Sequence, residues 1–220
     1  MYATIYTLVL IIHIISGFAG LASGTVAISK TNSIKTHKIA GKVFFYAMLF
    51  IFITSTLMCL MKTNHFLLLI GFFSFYLTCT GLRILQLKSI TKNKLEPTFV
   101  DYVISITGIS VGISILILAF FLFQSNNNFG VVCLFFGSIS IFLGVSDGRK
   151  FNKAFTNKFY WINTHAMRMA GAYVATVTAF IVVNVQINQG WILWILPSLI
   201  IIPIAKKLVK NKVNQFQTKI

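Results

Sequence analysis

Residues Tyr102 to Phe123 read YVISITGISVGISILILAFFLF, 22 residues without one charged side chain. An α-helix needs about 20 apolar residues to cross the hydrocarbon core of a bilayer, and this stretch meets that length. Its small and polar members, Ser105, Gly108 and Gly112, recur every three or four positions, as does Asp101 just before it. Such a stripe marks the face a membrane helix turns toward its neighbours, because lipid-facing positions favour large apolar side chains.

Working outward, apolar runs of the same kind occur at Ile5 to Ile28, Ile39 to Met61, Phe66 to Leu87, Val131 to Val145, Trp161 to Val183 and Trp191 to Ala205. At roughly 30 residues per span and loop, 220 residues hold about seven spans and leave no room for a soluble domain. The expected fold is therefore an all-α integral membrane bundle of seven transmembrane helices over 1–205, followed by a basic tail over 206–220. The fifth and seventh runs are the shortest, and the seventh contains Pro197 and Pro203. With 57% hydrophobic and only 10% charged residues, a soluble monomer is excluded. Cys59, Cys79 and Cys133 all lie in apolar runs without Cys-x-x-Cys spacing, which speaks against a disulfide framework or a thiolate metal site.

The net charge of +16 raises nucleic acid as a partner, but the placement of the charges answers it. Of 19 Lys and Arg, 17 fall in alternate connections and the tail, Lys62 falls on the other side, and Arg168 lies inside a span. This alternation predicts a cytoplasmic C-terminus and an outer N-terminus by the positive-inside rule, with no nucleic-acid partner. The bilayer itself is the expected partner, and the basic loops and tail are placed to meet anionic lipid headgroups. Met1 to Thr4 carries no basic residue and the first run is longer than a signal sequence's apolar core, so it is expected to remain as a helix.

Stripes of small and polar residues recur in other spans: His13, Ser16, Gly17, Gly20, Ser23 and Gly24 in the first, Gly137, Ser140, Gly144 and Asp147 in the fifth, and His165, Arg168, Gly171 and Ala175 in the sixth. Arg168 is the anomaly. It lies seven residues past Trp161, about 10 Å into the membrane, where an arginine costs about 2.5 to 3.5 kcal/mol on insertion scales. The chain has three acids, Glu96, Asp101 and Asp147, and the last two lie at the inner ends of the fourth and fifth spans. Arg168 is expected to pair with Asp147 or Asp101, the alternative being that it snorkels to the headgroups.

Two function classes follow. Arg83, Asp101, Asp147, His165 and Arg168 would line a cytoplasm-facing polar pocket for a small anion, metabolite or lipid headgroup, because ionisable residues inside a membrane point to a site. Binding is favoured over coupled transport, since no acid lies at the midplane and no inverted repeat is evident. The other class is a b-type haem protein, pairing His37 with His165 near the inner face and His13 with His65 near the outer, since bis-histidine ligation needs two imidazoles at one depth. A third possibility is a structural or accessory protein in which the polar pairs only set helix register. No Walker loop, Gly-x-Ser-x-Gly elbow or His-Glu-x-x-His is present, and no residue is assigned a catalytic role. The seventh run, Trp191 to Ala205, has no lysine for a retinal Schiff base.

The residues His13 to Gly24, His37 with Gly41, and the run HAMRMAGAY from His165 to Tyr173, continued by ATVTAF to Phe180 and by Asn184, together resemble a family of bacterial multi-pass membrane proteins classed as domain of unknown function 2306. The resemblance implies a helical protein of the bacterial plasma membrane, with no activity or site role to carry over.

Overall fold

The computed structural model describes residues 2–87, 96–151 and 159–217. Within them the chain forms seven α-helices, α1 (Tyr2–Ser29), α2 (Ile34–Met61), α3 (His65–Leu87), α4 (Phe99–Gln124), α5 (Gly130–Phe151), α6 (Tyr160–Asn184) and α7 (Ile192–Gln217), and among the described residues there is no β-sheet. All seven are long and apolar enough to span a membrane. Even α5, the shortest at 22 residues, rises about 33 Å. Helices are the solution that lipid imposes, since each backbone N–H must be bonded within its own segment.

Two helices extend by six residues or more beyond the apolar stretches that announced them. α5 continues through Ser146, Asp147 and Lys150 to Phe151 because its acid is buried against partners rather than released to water. α7 continues through Pro197 and Pro203 and carries Lys206, Lys207, Lys210 and Lys212 as helix, ending at Gln217. Lys212 Nζ donates to Asn32 Oδ1 at 2.8 Å, tying this end of α7 to the α1–α2 turn. Lys88, Lys92, Lys94, Lys153, Lys158 and Lys219, which enter the charge alternation, lie outside the described residues.

Sequential neighbours pack as antiparallel pairs, α1 with α2, α4 with α5 and α6 with α7, while α3 joins them by packing on α2, α4 and α6. The interior is filled by Phe44 and Met48 of α2, Phe73 and Leu77 of α3, Ile115 of α4, Val132 and Phe136 of α5 and Ala172 of α6. The outer surface carries Ile15, Leu60, Phe142 and Val183, each at least 63% exposed, a surface that only lipid solvates without penalty.

α4 and α5 approach backbone to backbone. A Cβ built on Gly112 would stand 2.9 Å from the Gly137 carbonyl oxygen, and one on Gly137 would stand 3.0 Å from that of Gly112. Ser140 Oγ donates to Gly108 O at 2.6 Å across the same seam. The stripes of these two helices therefore face each other, as their spacing predicts. The α1 stripe is only partly used: Gly20 and Gly24 meet α2 and α6, whereas nothing lies within 4 Å of a Cβ on Gly17.

Candidate functional site

At the lysine-rich end of the bundle, α3, α4, α5 and α6 bring their ionisable side chains into one layer. Arg168, about two turns into α6, is 3% exposed, so it does not snorkel. Its Nη2 donates to Asp147 Oδ1 at 2.6 Å and to Leu143 O at 3.2 Å, and its Nη1 donates to the Tyr76 hydroxyl at 3.0 Å. The Tyr76 hydroxyl in turn donates to Asp147 Oδ2 at 2.7 Å, so arginine, tyrosine and aspartate close a ring of hydrogen bonds. Both carboxylate oxygens are thereby satisfied, and the guanidinium lies 5.3 Å from the Tyr76 ring centre. Of the two acids open to Arg168, Asp147 is the partner. It also has the right geometry, since Asp147 follows Ser140 and Gly144 on the stripe that faces the bundle interior.

Asp101 has a different cation. Arg83 of α3 donates through Nε to Oδ1 at 2.7 Å and through Nη2 to Oδ2 at 3.0 Å, a two-pronged pair. Asp101 also starts α4: its Oδ2 accepts the Thr98 backbone N–H at 2.7 Å and the Thr98 hydroxyl at 2.9 Å. A carboxylate in a helix's first turn is favoured by the partial positive charge of that end. One side chain thus caps α4 and ties it to α3.

Between these two pairs lies a partly open cavity of about 30 Å³. Its polar lining comes from Thr80 and Arg83 of α3, Asp101 and Ser105 of α4, Asp147 and Lys150 of α5 and Thr164 of α6, with Ile84, Leu87, Ile104 and Phe151 as apolar walls. Lys150 lies one turn beyond Asp147 on the same face of α5. Within the cleft both carboxylates are engaged, Asp101 by Arg83 and Asp147 by Arg168, so Lys150 is the cation in surplus.

Of the five residues expected to line a pocket, Arg83, Asp101 and Asp147 do so, and Arg168 stands behind Asp147 in the buried ring. His165 is placed elsewhere: its Nδ1 bonds the Gly81 carbonyl oxygen at 2.7 Å, and its ring meets His37, with centroids 6.2 Å apart. Tyr76 and Lys150 were not anticipated. Tyr76, Thr80 and Arg83 stand at i, i+4 and i+7, a polar stripe on α3 that would have flagged the tyrosine. The Asp147 to Lys150 spacing of three residues would have flagged the lysine.

The haem reading is not carried by the geometry. His13 of the outer pair spends its Nδ1 on Thr54 Oγ1 at 2.9 Å, while His65 is the exposed first residue of α3. The reason is depth: Thr54 lies well inside α2, level with His13, whereas His65 starts its helix at the membrane edge. Among the described residues no group of three or more His, Cys, Asp or Glu is placed to hold a metal ion, which argues against a redox centre of that kind. Compared with family models, with curated proteins and with solved structures, the chain matches none.

Proposed function

We propose that the cleft between α3, α4, α5 and α6 binds one anionic group, a phosphate or carboxylate carried by a small molecule or by a lipid headgroup. The observation that carries this reading is the surplus cation, Lys150, beside Arg83 in a cleft whose two acids already have partners. The cavity, about 30 Å³, has room for about two waters. That size suits a single charged group rather than a whole metabolite, which favours binding over passage of a substrate. Thr80, Ser105 and Thr164 line the cleft with hydroxyls that each donate to the carbonyl four residues earlier in their helix, so the anion's donors are the two cations rather than these groups.

The positive-inside alternation supports placing this end of the bundle in the cytoplasm, with the lysines of α7 against anionic headgroups. The resemblance of the His165 to Tyr173 run to the bacterial domain of unknown function 2306 supports a bacterial plasma membrane protein of that family.

The test is a binding titration of the full-length protein in detergent with inorganic phosphate, and of the protein in nanodiscs with and without phosphatidylglycerol. Saturable binding of either probe, weakened at least tenfold by Lys150→Gln, is expected, since a hydrogen bond to a charged group contributes about 1.5 to 3 kcal/mol. Phosphate binding in detergent identifies a soluble anion, whereas retention of phosphatidylglycerol alone identifies a headgroup. Equal affinity in wild type and Lys150→Gln for both probes would overturn the assignment.

A further inference from the structure

The cleft admits only the charged part of a ligand, so the rest of that ligand has to lie outside it, and the packing of α5, α6 and α7 shows where. α5 and α6 are tied by Arg168 and Asp147 but do not pack on one another: among the described residues no Cα of α5 comes within 8 Å of one of α6. Packed helices approach axis to axis at about 8 to 10 Å, a spacing that brings their nearest Cα atoms inside that limit. Side chains alone bridge the interval, and α3 lies behind it, where a Cβ on Gly171 would stand 3.0 Å from Leu77 Cδ1.

α7 closes this interval at one end only. Trp194, in the first turn of α7, packs edge-on against Phe66 at the start of α3 and Phe129 just before α5, with ring centroids 5.0 and 5.8 Å apart. At the other end of α7, Lys212 reaches Asn32 in the α1–α2 turn. α7 therefore runs aslant across α6, from beside α5 to beside α1. Burial along the two facing helices records the slant. Val132, Ile139, Leu143, Ser146 and Lys150 share one face of α5 by helical spacing; Val132 is 0% exposed, whereas the other four are partly exposed. On α6, Thr178 is 2% exposed, whereas Ala175, Gly171 and Thr164, on the same face, are partly exposed. The result is a groove that opens to the bilayer toward the lysine-rich end, with Lys150 at its head.

The surroundings choose the occupant. Tyr160 and Trp161, in the first turn of α6, pack on Ile84, Leu87 and Phe151 beside the cleft, and aromatic rings at a helix end lie at the depth of lipid headgroups. A neutral lipid or a second copy's apolar helix would fill the groove and leave Lys150 unmatched, whereas a phosphate with a hydrocarbon chain matches both parts. We propose, resting on the anion reading of the cleft, that the ligand is an anionic glycerophospholipid of this leaflet, its phosphate at Lys150 and Arg83 and an acyl chain in the groove between α5 and α6.

The experiment takes the full-length protein from nanodiscs of phosphatidylcholine and phosphatidylglycerol into mild detergent and weighs the bound lipid by native mass spectrometry. One phosphatidylglycerol per chain is expected. Its retention should fall at least about tenfold in Lys150→Gln and in Ala175→Phe, whose ring would fill the groove seven residues past Arg168, about 10 Å along α6. Phe142→Ala, on the 70% exposed face of α5, should leave it unchanged, and an unaltered melting temperature verifies that the variants fold. Should Ala175→Phe fail to fold, phosphatidylglycerol carrying a diazirine on its acyl chain decides on the wild type: crosslinks concentrated in 139–146 and 171–175 support the groove, and crosslinks spread evenly over the lipid-facing helices overturn it. Phosphatidylcholine retained equally, unchanged retention in a folded Ala175→Phe, or binding of inorganic phosphate without retention of phosphatidylglycerol would each also overturn it. The last of these, if weakened by Lys150→Gln, leaves the anion reading standing, whereas lipid retention that Lys150→Gln does not alter removes both.

Discussion

Breaking the Arg168 and Asp147 pair from one side should be far more damaging than removing it whole. Arg168 is 3% and Asp147 8% exposed, so neither regains water when its partner is lost. Asp147→Leu leaves a guanidinium with only Leu143 O and the Tyr76 hydroxyl. An arginine at this depth costs about 2.5 to 3.5 kcal/mol when uncompensated, and removing one partner of a buried pair costs about 3 to 5 kcal/mol. About 3 kcal/mol is expected for Asp147→Leu and a similar loss for Arg168→Met, which strands the carboxylate. The double variant removes both charges and orphans only the Tyr76 hydroxyl, at about 1 to 3 kcal/mol. The coupling between the sites is then about 3 to 5 kcal/mol. Reversible unfolding in SDS-containing mixed micelles, followed by the fluorescence of Trp161, Trp191 and Trp194, measures all four corners of this cycle. Single losses that add within about 0.5 kcal/mol would refute the reasoning, because they would mean that each charge finds compensation without the other.

The Arg83 fork is the milder case. Arg83 is 28% exposed, so Arg83→Lys, which keeps the charge but loses the two-pronged bond, should lower stability by only about 0.5 to 1 kcal/mol in the same unfolding assay. Gly112→Val forces a side chain against the Gly137 backbone, and a loss of about 1 to 3 kcal/mol with lowered folded yield is expected; an unchanged melt would show that α4 and α5 are not so closely joined. The topology is tested by an impermeant maleimide on intact cells. A cysteine at Asn128, in the α4–α5 connection, should label from outside, and one at Thr31 only after permeabilisation, each read against the chain without the added cysteine.

The seven helices were legible because each residue in lipid is constrained in the same way, and a run such as Tyr102 to Phe123 has no other stable form there. The ends were less legible. Hydropathy ended the fifth run at Val145, yet the helix continues to Phe151, because Asp147 meets Arg168 inside the bundle and a pairing between distant residues leaves no trace in a local average. The acid for Arg168 could be narrowed to two by topology alone. Choosing between them required knowing that Arg83 reaches Asp101, a matter of which helices are neighbours. Tyr76 escaped notice because an aromatic residue in a membrane helix reads as apolar until its hydroxyl is seen between an arginine and an aspartate. For the histidines, depth along the helices brought His37 to His165, but that same reasoning placed His13 with His65, where a threonine one helix away proved nearer.

The two acids at this end of the bundle have been put to different uses, and the difference bears on the cleft between them. Asp147 is closed off: arginine, tyrosine and carboxylate satisfy one another in the interior, so this ring fixes α3, α5 and α6 relative to one another and offers little to a ligand. Asp101 lies at the rim, where it also begins α4, and its partner Arg83 is partly exposed. Of the cleft's cations, Arg168 is therefore committed to structure, Arg83 is shared between Asp101 and Gln86, and Lys150 is left with the least to hold it. An incoming anion would draw on Lys150 and on the exposed face of Arg83 without disturbing the buried ring. Lys150→Gln should accordingly weaken binding at this site while leaving the stability of the bundle unchanged, whereas Asp147→Leu, which removes a wall residue and unpairs Arg168, should lower stability.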